Sequence, residues 1–424
     1  MGVQQCCTKQ KRRTAHFQQE EIMQPADTAF ILICAALVMF MTPGLALFYG
    51  GLTRNKNVLG TIMHSFIMLA VGTLVWVAVG YSLAFGDDIA GVIGSLNFAF
   101  LYGVGAEPAA VAPTIPHSTF MIFQCMFAVI TPALISGAYA ERIKFSGFLV
   151  FSVLWLILVY CPMAHWVWGG GWMAQMGALD FAGGAVVHMS SGAAALAAAL
   201  VLGYRRGYGQ APFIPHNIPM TVLGAGILWF GWFGFNAGSA LAANGLASSA
   251  FVTTHIAAAA AALAWIAMER IVSGKPTTLG AASGAVAGLV VITPAAGFVT
   301  PMGALLMGLS GGAICYGGIF LKHKLGFDDA LDVVGIHGVG GTWGAIATGI
   351  FANAAVNGKS GLLQGDVHQF LVQVASVVAT WVFCFGASYL LLKFTDMVVG
   401  LRVTPEEEEV GLDMSQHNES GYQY

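Results

Sequence analysis

The chain has 424 residues, 57% of them hydrophobic and only 9% charged, with a formal net charge of -3. A soluble domain carries roughly 25% charged residues, so this composition excludes a water-facing globule and describes an integral membrane protein. A nucleic-acid binder is excluded too, because nothing basic clusters outside a short N-terminal run.

Residues 1–26 read as an N-terminal extension. The stretch MGVQQCCTKQKRRTAHFQQEEIMQ lacks the apolar core of a secretory signal. Gly2 with Cys6 and Cys7 hints at lipidation, but position 6 is not Ser or Thr; a disordered or translation-start extension is the expectation. Eleven apolar runs follow, each near the ~20 residues that cross a bilayer core. They fall at 27–51, 59–85, 117–140, 144–164, 183–204, 217–238, 247–271, 279–294, 300–321, 333–353 and 368–395, the eighth short and the tenth interrupted by glycines. Gly totals 55 residues, nearly twice the usual ~7%, and its mixture with Ala predicts closely packed membrane helices. A transmembrane barrel is excluded, since its ~10-residue segments alternate apolar and polar positions. Five of the seven cysteines, Cys34, Cys125, Cys161, Cys315 and Cys384, fall inside the runs as small core residues.

Cations set the orientation, because short cytoplasmic loops retain Lys and Arg. Past residue 24 there are thirteen, and twelve lie in alternate connections or just after the last run: Arg54, Lys56, Arg142, Lys144, Arg205, Arg206, Arg270, Lys275, Lys322, Lys324, Lys393 and Arg402. The opposite connections hold only Lys359. Eleven crossings then place the N-terminus outside and the C-terminus in the cytoplasm, in a plasma (cell inner) membrane. Ten of the runs form two halves of five, and an odd number per half inverts the second relative to the first. The expected fold is therefore all-α and integral to the membrane: eleven transmembrane helices, as two inverted five-helix repeats plus a long C-terminal helix. Residues 27–397 form the transmembrane domain and 398–424 a cytoplasmic tail.

One internal echo supports the halves. Asp180 precedes His188 in DFAGGAVVH, and Asp332 precedes His337 in DVVGIHGVGG, each beside glycines at the start of a run. Ionisable groups inside a bilayer are functional hypotheses by default. Each acid reads either as a helix cap alone or as a cap with a role at a pore. The histidines, entering from opposite faces, read as a shared pore site or as a structural hydrogen bond between helices. A zinc site lacks its third and fourth ligands, and no other cofactor is implied. His64 and His255 read as core or rim histidines. HWVWGGGW, with Trp166, Trp168 and Trp172, and GWFGFNAGS, with Trp232, Phe233, Phe235 and Ser239, lie towards the external ends of their runs. Such aromatics form interfacial belts, or hold a cation by their ring faces while a hydroxyl accepts one of its protons. The tail RVTPEEEEVGLD reads as a short helix with Thr404 as cap, Pro405 first and Gly411 ending it. The Asn418–Ser420 sequon would be cytoplasmic.

The strings MTPGLALFYGG, FQCMF, GAYAERIKFSG, AHWVWGGGW, GALDFAGGAVVH, PHNIPM, GWFGFNAGSA and DDALDVVGIHGVGG resemble the ammonium transporter family, its Amt branch rather than the related Rhesus glycoproteins. The likeness runs from about residue 27 to residue 415. It implies a homotrimer with one pore per subunit, carrying ammonium or ammonia, with methylammonium as an analogue. Matched position by position, Phe127, Trp168 and Ser239 correspond to an external recruitment site, Phe127 and Phe235 to stacked rings closing the pore, His188 and His337 to the lumen pair, and Asp180 to a supporting acid. The resemblance implies a transporter rather than an enzyme, and a tail that meets a PII-type signalling protein. The alternatives are a neutral NH₃ gas channel and an ammonium sensor of low conductance; Trp168 and Ser239 count against the first, and the short tail against the second.

Overall fold

The chain is described here by a computed structural model covering residues 23–210 and 212–422. Gly2, Cys6, Cys7 and the basic run Lys9–Arg13 lie outside the described residues. Among those described, nine helices are long and apolar enough to cross a membrane. They are α1 Pro25–Leu52, α2 Asn55–Phe85, α3 His117–Ile135, α4 Phe145–Met176, α5 Gly184–Leu202, α6 Ile218–Gly238, α7 Gly245–Ser273, α9 Pro301–Leu325 and α11 Val367–Val399. The two remaining predicted runs correspond to shorter pieces. One is α8, Thr278–Ile292, with 15 residues; the other is α10, where a π-type turn Val334–Gly338 leads into the helix Val339–Phe351.

Small residues set the packing. A Cβ on Gly224 of α6 would stand 2.3 Å from the backbone N of Phe48 in α1, and one on Gly288 of α8 would stand 2.4 Å from the carbonyl O of Ala257 in α7. Such approaches let helix backbones touch where lipid offers no hydrophobic drive to association. On one side, the 86–116 connection folds into two small antiparallel hairpins, β1 Asp88–Ile89 with β2 Ile93–Gly94 and β3 Pro108–Ala109 with β4 Ala112–Pro116.

On the other side the cations converge. Glu141, 1% exposed, takes Arg54 at 2.7 Å and Arg205 at 3.3 Å, while Arg205 reaches Asp328 at 2.8 Å. The buried Arg142 donates to the Asp328 carbonyl at 2.6 Å. Four connections far apart in sequence are thus tied by charge-assisted bonds of the stronger kind. The tail docks on the same side. Thr404 Oγ1 accepts from the Glu407 N–H at 3.2 Å and Glu407 Oε2 accepts from the Thr404 N–H at 2.8 Å, a reciprocal cap that starts α12, Pro405–Val410. Gly411, at φ 107°, ends it, and α13, Leu412–His417, follows. Asn57 Oδ1 accepts from the Leu412 N–H and Asp413 Oδ1 from the Gly60 N–H, both at 2.8 Å.

Candidate functional site

Two π-type turns place the histidines. Gly184–Met189 opens α5 and carries His188, and Val334–Gly338 opens α10 and carries His337. Wide turns of this kind widen the helix locally and recur at functional sites. The two segments cross where side chains are absent: a Cβ on Gly192 would lie 2.3 Å from Gly338 Cα, and one on Gly341 would lie 3.0 Å from His188 Cβ. That closeness brings the imidazoles together, Nδ1 to Nδ1 at 3.2 Å. One ring donates this hydrogen bond and the other accepts it. His188 Nε2 has no protein partner among the described residues.

The acid that caps each segment is decided by backbone path. Asp180 accepts from the N–H groups of Gly183 (2.8 Å), Gly184 (2.6 Å), Ala185 (2.8 Å) and Val186 (3.3 Å), filling both oxygens at the start of α5. At the start of α10 the capping acid is Asp329, whose Oδ2 accepts from the Val334 N–H at 2.7 Å. Asp332, the acid expected from the sequence echo, instead stands at φ 61° and pairs with Lys322. The correction makes the echo closer: Asp180 and Asp329 each lie eight residues before their histidine.

Above His188 the rings form a column. Phe235 lies 6.1 Å away in a nearly parallel plane, and Phe127 lies 4.4 Å from Phe235. Both phenyl groups are 1% exposed, Phe127 lining the outer cavity and Phe235 the slot with the histidines. Trp168 stands edge-on to Phe127 at 5.9 Å, and its indole N–H donates to the Asp180 carbonyl at 3.0 Å. Phe127, Trp168 and Ser239 share the wall of an open cavity of about 270 Å³ outside the rings, together with Gln124, a polar wall residue that sequence reading did not single out. The Ser239 hydroxyl donates to the Phe235 carbonyl at 2.8 Å, leaving its lone pairs for a donor in the cavity.

Beneath the rings a slot of about 10 Å³ is lined by His188, His337, Trp232, Tyr49 and Leu331. That is on the order of the space one water occupies. Trp232, expected near the external end, lies flat against His188 at 5.4 Å and donates to Thr293 Oγ1 at 2.9 Å. Phe233 faces the other way and stacks on Phe251 at 3.9 Å. Trp166 packs on Phe383 and Trp172, away from the cavity. His64 is buried against Phe148, and His255 packs on Trp229. A cavity of about 580 Å³ opens on the cation-rich side, lined in part by Leu331, Asp332 and Lys322.

The family model for the Ammonium Transporter Family matches residues 29–422. An ammonium transporter of Bacillus subtilis is 55% identical over 95% of this chain and 99% of its own length. Ammonium transporter Amt1 of Archaeoglobus fulgidus is 50% identical over 94% of this chain and 100% of its own. Among solved structures, Saccharomyces cerevisiae Mep2 superposes with a TM-score of 0.87 at 37% identity, covering 92% of this chain and 89% of that one. A structure described as a sensor Amt protein superposes with a TM-score of 0.86 at 29% identity, covering 94% of this chain and 100% of that one.

Proposed function

The chain belongs to the ammonium transporter family, a family of membrane transporters and not of enzymes, and on that premise we propose a route by which it moves its substrate. Ammonium enters the outer cavity, where the ring faces of Trp168 and Phe127 attract a cation and the Ser239 hydroxyl accepts one of its protons. K⁺ offers no such proton. The observation that carries the reading is the closed Phe127–Phe235 pair directly above the two histidines. Two phenyl rings supply nothing to replace the water around an ion, and stripping that water is costly. The ion therefore gives up a proton outside the rings. Ammonia crosses them and exchanges hydrogen bonds with neutral imidazoles, which both donate and accept. The proton follows through the His188–His337 pair, so net charge moves. Asp180 supports the cage as a cap whose oxygens are filled by backbone.

The same reading places the chain in the plasma membrane as a homotrimer of eleven-span subunits, N-terminus outside, with residues 398–424 a cytoplasmic tail able to meet a PII-type protein. Methylammonium fits the same donor logic. The likeness to a sensor Amt protein favours one second reading, a receptor that binds ammonium in the same cage and conducts little.

Purified protein in liposomes on an inward ammonium gradient tests this, with K⁺ as control and Asp180→Ala as inactive reference. An ammonium-selective current, absent in the variant, is expected. Electrical silence with a rise in lumenal pH would make the protein a gas channel, and flux no greater than in empty liposomes would leave the sensor reading. Proton passage through the histidines is abandoned if His188→Asp with His337→Asp leaves both current and selectivity over K⁺ unchanged.

A further inference from the structure

The inverted halves use their capping acids differently. Four backbone N–H groups occupy Asp180, whereas Asp329, 1% exposed, accepts the Val334 N–H on Oδ2 with the Val333 N–H also near the carboxylate, and its Oδ1 has no hydrogen-bond partner of good geometry among the described residues. An unfilled acceptor on a buried carboxylate is expensive, and an exception of this kind calls for a use. Its neighbours, rather than Asp329 itself, line the inner path. Lys322 donates to the Asp329 carbonyl at 3.0 Å and pairs with Asp332, and Lys322 and Asp332 line the large inner cavity. Leu331, two residues on, lines both that cavity and the histidine slot. Tyr49, in the wall of the slot, and Arg142 both lie within electrostatic range of Asp329.

We propose that Asp329 is the proton-handling group of the inner mouth, its free Oδ1 returning a proton to ammonia as it leaves His337 for the inner cavity. The inference rests on the reading above, in which ammonium crosses the rings as ammonia and a proton. The carboxyl O–H bond breaks and an N–H bond forms, releasing ammonium. The carboxylate is recharged by the proton removed at the outer cage, so one ammonium leaves for each that entered. Burial raises the Asp329 carboxyl to about 6, with Lys322 opposing that rise and Asp332 adding to it. A group that titrates near neutrality exchanges protons most effectively at working pH.

Asp329→Asn separates capping from proton transfer, because the amide oxygen still accepts the Val334 N–H but binds no proton. Ammonium flux into liposomes is measured at equal pH on both sides, from about 5 to 8, alongside thermal unfolding. The expected result is a folded variant whose flux at neutral pH falls on the order of a hundredfold and loses its inflection near the Asp329 value. Native flux and an unchanged profile in Asp329→Asn would overturn the inference and leave Asp329 a cap. If that variant fails to fold, Asp329→Glu decides: a displaced inflection supports proton transfer and an unmoved one overturns it. An electrically silent native protein sinks the coupled reading by itself, whereas a native current with undisturbed Asp329→Asn flux sinks only this inference.

Discussion

Trp168 spends its single donor on the Asp180 carbonyl, so what it offers the outer cavity is ring surface. Trp168→Leu keeps apolar bulk and removes the ring quadrupole, which is worth about 0.5–2 kcal/mol to a bound cation. The half-saturating ammonium concentration should rise by roughly twofold to thirtyfold, read from flux against concentration; an unmoved value would take Trp168 out of recruitment. Glu141 illustrates the opposite use of a buried charge. Burial pushes its carboxyl up, but the Arg54 hydrogen bond and the Arg205 charge outweigh burial and leave it below the ordinary 4.5. A depressed carboxylate contributes stability above its unfolded value and loses it as pH falls through the folded value. Thermal unfolding in detergent should therefore show stability dropping below about pH 4.5. Glu141→Gln, which takes the carboxylate from Arg54 and leaves Arg205 to Asp328 alone, should cost about 3–5 kcal/mol at neutral pH and flatten that dependence. A variant as stable as the native chain would show the network to be dispensable.

At the scale of elements, the histidine pair exists because two π-turned segments cross without side chains between them. Gly192 faces backbone rather than a yielding side chain, with Gly338 Cα 2.3 Å from where a Cβ would sit. Gly192→Leu must push α5 and α10 apart, at about 1–3 kcal/mol for overpacking, and with it the 3.2 Å contact between Nδ1 atoms. Flux should collapse in this variant while the outer cavity still binds ammonium, which isothermal titration can resolve. Retained flux would mean that the pair need not touch. The tail follows local rules instead. Its reciprocal cap at Thr404 and its glycine stop at Gly411 form where the residues alone place them.

For the whole molecule, the cations that argue for an orientation also build one face of the structure. Arg54, Arg142, Arg205 and Arg402 belong to separate connections, yet each bonds within one side of the structure. The proposed orientation, in which short cytoplasmic loops retain Lys and Arg, takes that side as cytoplasmic. In a background with Cys6 and Cys7 replaced by serine, Lys359→Cys should react with an impermeant maleimide on intact cells, and Lys275→Cys only after permeabilisation. The reverse pattern would invert the topology.

Membrane insertion, nearly all the helix positions, the family and the two histidines were legible in the sequence because they rest on local quantities: apolar run length, cation placement and short motifs. Which way a side chain faces was not legible where a helix is apolar all round, since periodicity then marks no buried side. Thus Trp232 lies against His188 and Phe233 stacks on Phe251 instead, though they are neighbours in one apolar string. Tyr49 and Gln124 carried no signal beyond lying in such runs. The capping acid of α10 depended on where the backbone turns into that helix: Asp332 stands at φ 61° and pairs with Lys322, so Asp329 and not Asp332 took the role. The sequence by itself determined what solvent the chain lives in and what kind of substrate it moves. Only the tertiary structure decided which oxygens, rings and imidazoles face the path, because those directions follow from contacts between segments more than a hundred residues apart.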